Sequence, residues 1–178
     1  MYRISTIISA VLNPVMRAEQ WHMERGTLLH TLMQKESLKQ AYSIDDPDNI
    51  ITPYIPCIKK FWLDMRDEIE VLATEEEVKS ERLQVIGHLD LRCKYKRHHC
   101  VLDYKSNQET WTAKYQLGGY GLLCRENNID ILKGYVVELH NDGTYKLKAY
   151  DMAWYMLEFR SILNVFNLKV REKQIKEG

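Results

Sequence analysis

Across residues 84–106 apolar and polar positions alternate with a period of two. That pattern predicts two strands, 84–95 and 100–106, joined by the polar run Lys96-Arg97-His98-His99. A turn centred on Lys96-Arg97 sets Asp90 opposite Asp103, and opposed residues have Cβ atoms roughly 5 Å apart. Alternation puts Lys105 on the face of Asp103. It puts Leu89, Leu91, Cys93, Cys100, Leu102 and Tyr104 on the other face, so one face should pack and the other carry charge.

Helical spacing governs most of the remainder. Ile4, Ile7, Ile8, Val11 and Leu12 predict a short helix capped by Ser5, and Pro14 suits the start of another. Within 24–33, Leu28, Leu29, Leu32 and Met33 make one stripe, with His30 on its polar flank near Thr27 and Gln34. There His30 is either a surface histidine or a ligand facing a cleft. Gly26, one turn earlier, would let another segment approach. Residues 42–52 predict a mobile polar loop, with a lid as one role. A long amphipathic helix is expected over 53–70, burying Ile55, Ile58, Phe61, Trp62, Met65 and Ile69.

Residues 71–80 read as a strand carrying Glu75-Glu76-Glu77, a solvated edge from which one carboxylate could turn to the charged face. A helix over 112–126 puts Gln116 and Tyr120 on one face. Its Gly118-Gly119 pair costs up to about 1 kcal/mol per glycine, which close packing on the sheet or a closely approaching ligand backbone would explain. A second hairpin, 131–139 and 144–150, turns at Asn141-Asp142-Gly143. Asp151 caps a last helix with Trp154, Leu157, Phe159, Ile162 and Phe166 among its apolar positions, and the charged tail after Val170 should fray. The order of elements indicates an α/β domain, a central mixed sheet flanked by helices.

The 178 residues fit one domain, 1–178, with 45% hydrophobic and 28% charged residues, as in soluble globular proteins. The net charge is zero, so no global basic signature marks a nucleic-acid partner, although a local basic groove is enough for one. The apolar segment 4–12 is short and broken by polar residues, and no run is long enough to span a bilayer. A cytoplasmic protein with no membrane association is expected. Cys57, Cys93, Cys100 and Cys124 form no Cys-x-x-Cys, which argues against structural zinc. Cys93 and Cys100 face each other in the predicted hairpin and read as small buried hydrophobes rather than a disulfide. Lys94, Lys96, Arg97, His98 and His99 make a basic tip, a phosphate contact or an ordinary solvated turn.

Two carboxylates as close as Asp90 and Asp103 repel each other unless a cation joins them, and Mg²⁺ takes carboxylate oxygens at about 2.0–2.1 Å. Gly26-x-x-x-His30, Gly87-His88-Leu89-Asp90, Asp103-Tyr104-Lys105 and Gln116-x-x-x-Tyr120, in that order, resemble the PD-(D/E)xK nuclease superfamily in its RecB-like exonuclease branch, of the phage and mobile-element type. The resemblance implies a restriction-endonuclease-like core. It implies that Asp90, Asp103, the Tyr104 carbonyl and His30 bind Mg²⁺ or Mn²⁺. Lys105 would orient or activate the attacking water, and Gln116 and Tyr120 would line the site and hold the substrate strand. Glu75 best fits the family's additional carboxylate, with Glu76 and Glu77 as alternatives. The four cysteines do not follow the layout of relatives that hold an iron–sulfur cluster, so none is expected.

The implied activity is metal-dependent hydrolysis of DNA, as an exonuclease of recombination, repair or replication acting on single- or double-stranded ends. Alternatives are a structure-specific endonuclease and an inactive nucleic-acid-binding module of the same fold. Family relatives also leave room for a homo-oligomer or a recombination partner protein.

Overall fold

The structure, a computed structural model, describes residues 1–12, 20–107 and 111–177. Strand β1 (Tyr2–Arg3) leads into α1 (Ile4–Leu12), and α2 (Gln20–Ser37) follows. A 3-10 turn (Thr52–Tyr54) opens α3 (Ile55–Met65). Then come β2 (Ile69–Ser80), β3 (Val85–Tyr95), β4 (His98–Ser106), α4 (Ala113–Glu126), β5 (Lys133–Leu139), β6 (Tyr145–Asp151) and α5 (Met152–Glu177). The sheet is mixed: β2–β3, β3–β4 and β5–β6 pair antiparallel, β1–β3 and β4–β5 parallel. Among the described residues no helix is long and apolar enough to cross a membrane.

The hairpin turn is tighter than the polar run suggests. Lys96 (φ 49°) and Arg97 (φ 69°) alone make it, and His98 and His99 belong to β4. Two residues with positive φ form the turn whose twist matches the flanking strands. The β3–β4 ladder runs from Tyr95↔His98 to Leu91↔Leu102 and stops. Further along β3, Val85 and Ile86 pair with β1 instead. The two strands therefore part as a fork, and Asp90 and Asp103 are the first residues beyond the branch point. The expected register holds, but Asp90 and Asp103 are not a ladder pair.

Both faces of the sheet are packed, against the expectation of one charged face. Val101, Val136 and Leu89 join α1, α4 and α5 in one core. Leu91, Cys93, Cys100, Leu102 and Tyr104 join α2 and α3 in the other. Leu89 and Leu91 thus face opposite ways, because the alternation resets between them. The β2–β3 register shifts between Val71 and Ala73, and Glu75 (φ 48°) and Asp90 drop out of the ladder between Thr74↔Leu91 and Glu76↔Leu89. A residue taken out of the ladder re-aims its neighbours.

Other boundaries also moved. Ser5 lies inside α1 and not at its cap, and Pro14 lies outside the described residues. The 53–70 helix ends at Met65, and buried Ile69 opens β2. The polar loop is gathered around Asp46, whose carboxylate accepts the Ile50, Ile51 and Thr52 N–H groups and the Thr52 hydroxyl. Those bonds hold Ile51 in the core beside α3. Asp151 does cap α5, accepting from Ala153 N at 3.0 Å. Phe159, Ile162 and Phe166 are buried as expected, whereas Trp154 and Leu157 face solvent. The tail stays helical to Glu177, since Arg171, Glu172, Lys173, Gln174 and Lys176 are good helix formers and Glu172 precedes Lys176 by four.

Candidate active site

The fork fixes the first acidic group. Asp90 is buried, and its Oδ2 accepts the Tyr104 N–H at 2.7 Å, so a side chain takes the place of the lost strand pairing. Its Oδ1 lies 3.3 Å from Nδ1 of His30, which is 3.8 Å from Oε1 of Glu75. Leu29, Leu32 and Met33 seat α2 on the sheet, and the intervening turn hangs His30 over β2 and β3. One donor atom from each of His30, Glu75 and Asp90 falls within a mutual 4.8 Å.

Of the three adjacent glutamates, only Glu75 turns this way. Glu76 forms a two-pronged pair with Arg92 (2.6 and 2.8 Å), and Glu77 faces His88 at 3.6 Å. The left-handed backbone at Glu75 separates it from its neighbours.

Asp103 is fully buried on β4. Lys105 Nζ sits 2.7 Å from its Oδ2 as an ion pair, whereas the buried Oδ1 has no hydrogen-bond partner among the described residues. Lys105 also donates to Gln116 Oε1 at 3.3 Å, and Gln116 Nε2 donates to the Tyr120 hydroxyl at 2.6 Å. Thus α4 continues the polar chain that β4 begins. The Tyr120 ring lies over Gly87, where an added Cβ would meet it at 3.1 Å and Ile4 at 2.7 Å. Tyr104 sends its ring into the α2–α3 core and only its backbone to the fork.

Negative charge dominates these groups. Burial alone would lower the His30 pKa, but the Asp90 charge and hydrogen bonds from Asp90 and Glu75 outweigh it and lift it to about 10. Burial pushes the Asp103 carboxyl up, Lys105 opposes that, and Asp90 adds to it. Burial, then Asp103 and Asp90, hold the Tyr120 phenol well above its ordinary range. Carboxylate oxygens with one imidazole suit a hard divalent cation, and the unpartnered Oδ1 of Asp103 is an atom such an ion would satisfy. The residues present therefore fit a hard divalent cation.

One neighbour escaped the sequence reading. Arg25 is nearly buried, donates to Ser106 Oγ at 3.1 Å at the end of β4, and has its Nη2 2.9 Å from His22 Nδ1. Its guanidinium lies 4.9 Å over the Trp21 ring and 5.6 Å over that of Tyr54. No carboxylate pairs with it among the described residues, an arrangement open to a phosphate oxygen. The available signal was Trp21 four residues before Arg25, and a helix begun at residue 24 leaves Trp21 out. Met23, Gly26, Thr27, His30, Thr31, Gln34 and Glu75 line a cleft of about 440 Å³, which reaches the donor cluster at His30 and Glu75.

Gly26 would admit a Cβ, with nothing within 4 Å. Gly118 and Gly119 serve packing, but of helix on helix: a Cβ at Gly118 would collide with the Tyr155 carbonyl on α5, and one at Gly119 would crowd Ile4 at 3.0 Å.

No protein-family profile matches the chain, and no curated protein matches it significantly. Solved structures do resemble it. A protein from Eubacterium rectale, provisionally assigned as an exonuclease, superposes with a TM-score of 0.65 at 8% identity, covering 99% of this chain and 82% of its own. An alkaline exonuclease from Laribacter hongkongensis aligns with a TM-score of 0.47 at 9% identity, over 99% of this chain and 94% of its own. The first of these shows a shared fold: a mixed sheet flanked by helices.

Proposed function

We propose that the chain is one nuclease domain of the PD-(D/E)xK type, in the RecB-like branch, that hydrolyses DNA phosphodiester bonds with Mg²⁺ or Mn²⁺, as an exonuclease working from ends. The observation that carries the reading is the fork. It gathers His30, Glu75 and Asp90, and it leaves the buried Asp103 carboxylate paired with Lys105 through Oδ2 and with its Oδ1 unpartnered among the described residues. The exonuclease assignment of the Eubacterium rectale protein that shares the fold agrees with this reading.

Asp90, Asp103, His30 and the Tyr104 carbonyl hold the cation, with Glu75 as the further carboxylate. Bound there, the ion supplies Lewis-acid charge and a water of lowered pKa. Lys105, steadied by Asp103 and Gln116, turns its ammonium toward the attacking water and the charge that develops on phosphorus. Gln116 and Tyr120 hold the strand being cut, and Arg25 offers its guanidinium to a backbone phosphate.

The test uses purified protein, Mg²⁺ or Mn²⁺, end-labelled linear DNA in single- and double-stranded form, and covalently closed circles. Linear DNA should be degraded and circles left whole, with no cleavage in chelator or in Asp103→Ala and Lys105→Ala proteins that still fold. Intact linear substrates would sink the reading. Cut circles would move it to an endonuclease, and metal binding without any cleavage would move it to an inactive binding module.

A further inference from the structure

Helix α5 carries two apolar stripes. At 100° per residue, Met156, Phe159, Leu163 and Phe166 lie on one side and are buried against α1 and α4. Trp154, Leu157, Val165, Leu168 and Ile175 lie about half a turn away, and they are between 42% and 73% exposed. The exposed stripe spans most of a 26-residue helix, about 39 Å long. It also outruns the body of the molecule, since residues 171–176 are all exposed. Two helical turns with no packing of their own are marginal in water, yet Ile175 extends the stripe onto them.

We propose that this face of α5 pairs with the same face of a second copy, antiparallel and about a two-fold axis near Leu163 and Asn164. Charge along the flank of the stripe is the argument for self-pairing. That flank reads Asp151 and Glu158 in the first half of the helix and Lys169 and Lys176 in the second. Antiparallel helices bring like flanks together, so a single register sets Glu158 against Lys169 of the second copy and Asp151 against Lys176. The same register brings Leu157 close to Leu168. A parallel pair would set this flank against the other flank of the helix and forgo these pairings.

Glu158 is held in place at the flank: its Oε1 accepts from Trp154 Nε1 at 2.8 Å, and its Oε2 is turned inward and buried without a hydrogen-bond partner among the described residues, so pairing with Lys169 of the second copy requires the carboxylate to turn outward. Lys169 reaches the Ala10 carbonyl at 2.8 Å and remains exposed. Five large side chains, each giving roughly 100 Å², supply about 1,000 Å² over two copies, the lower bound for a specific interface. Because α5 packs behind α4 and α1, pairing here does not call on the residues of the fork.

The proposal predicts that the full chain at about 100 µM sediments or scatters with twice the 21.1 kDa chain mass. Leu157→Glu with Leu168→Glu should weaken self-association at least tenfold and leave the circular dichroism spectrum and cooperative melting intact. Its cleavage rate on linear DNA should match the parent, so failure of the nuclease reading and failure of this one are separately visible. Under mild oxidation Asn164→Cys, near the axis, should cross-link to its own copy, and Ile175→Cys should not. A parent monomer at that concentration overturns the proposal and leaves the stripe to a partner of different sequence. A dimer that survives the double substitution overturns it, as does self-cross-linking through Ile175→Cys.

Discussion

His30 and Asp103 carry the clearest electrostatic signature at the scale of single residues. The folded His30 pKa of about 10 lies above the ordinary 6.5, because the favourable pull of Asp90 and Glu75 exceeds the penalty of burial. Its positive charge therefore stabilises the metal-free protein fully below about pH 6.5, and that support is lost as pH rises toward 10. The raised Asp103 carboxyl acts in the same direction, favouring the fold when protonated and opposing it once ionised. In chelator, Tm should fall between pH 6.5 and 10, and Mg²⁺ or Mn²⁺ should reverse the fall. His30→Gln should flatten the slope, as differential scanning calorimetry would record. Asp103→Asn separates site from scaffold. It should lower cleavage by about 100-fold or more while leaving Tm in chelator little changed, because relief of a fully buried charge offsets the loss of its ion pair with Lys105. Alternation set Asp90, Asp103 and Lys105 together, but their proposed roles came from the resemblance and not from the pattern. The choice among Glu75, Glu76 and Glu77 was not legible, because a left-handed glutamate inside a strand leaves no mark in the sequence.

At the scale of elements, the fork is what alternation could not foresee. It sets the hairpin register to Leu91↔Leu102, but the parting beyond that point depends on β1 and on the reset at Glu75. A strand as short as β1 has no readable period, and α5 mixes two stripes that a linear list of apolar residues merges into one. The glycines offer a matched test of how helices hold the site. Gly118→Ala would drive α4 into the Tyr155 carbonyl and should cost about 1–3 kcal/mol, seen as a lower urea midpoint. Gly26→Ala meets nothing and should add up to about 1 kcal/mol of stability through helix propensity. If the cleft admits a DNA strand, the same substitution should slow cleavage, and a faster rate would count against that path.

The whole molecule divides the site's labour between its layers. The α2 layer supplies His30 and Arg25, the sheet supplies Glu75, Asp90, Asp103 and Lys105, and the α4 layer supplies Gln116 and Tyr120. The donor cluster therefore forms when α2 is seated on the sheet, and the Lys105–Gln116–Tyr120 chain when α4 is. Arg25→Met tests the outer limit of this arrangement. It should raise KM for DNA by about tenfold or more with kcat nearly unchanged, since a phosphate contact outside the reacting centre binds substrate and transition state alike. Tm should fall modestly, because the substitution gives up the contacts with Ser106, His22 and the Trp21 and Tyr54 rings. Far from this cluster, Lys96 and Arg97 hold a mirror-image bend that L-residues adopt at a cost of about 1–2 kcal/mol each. Asn-Gly at those two places should relieve it, raising Tm and quickening refolding in stopped-flow traces, because β3 and β4 meet at the bend before anything distant must assemble. A fluorophore at that bend would therefore report hairpin closure from outside the fork.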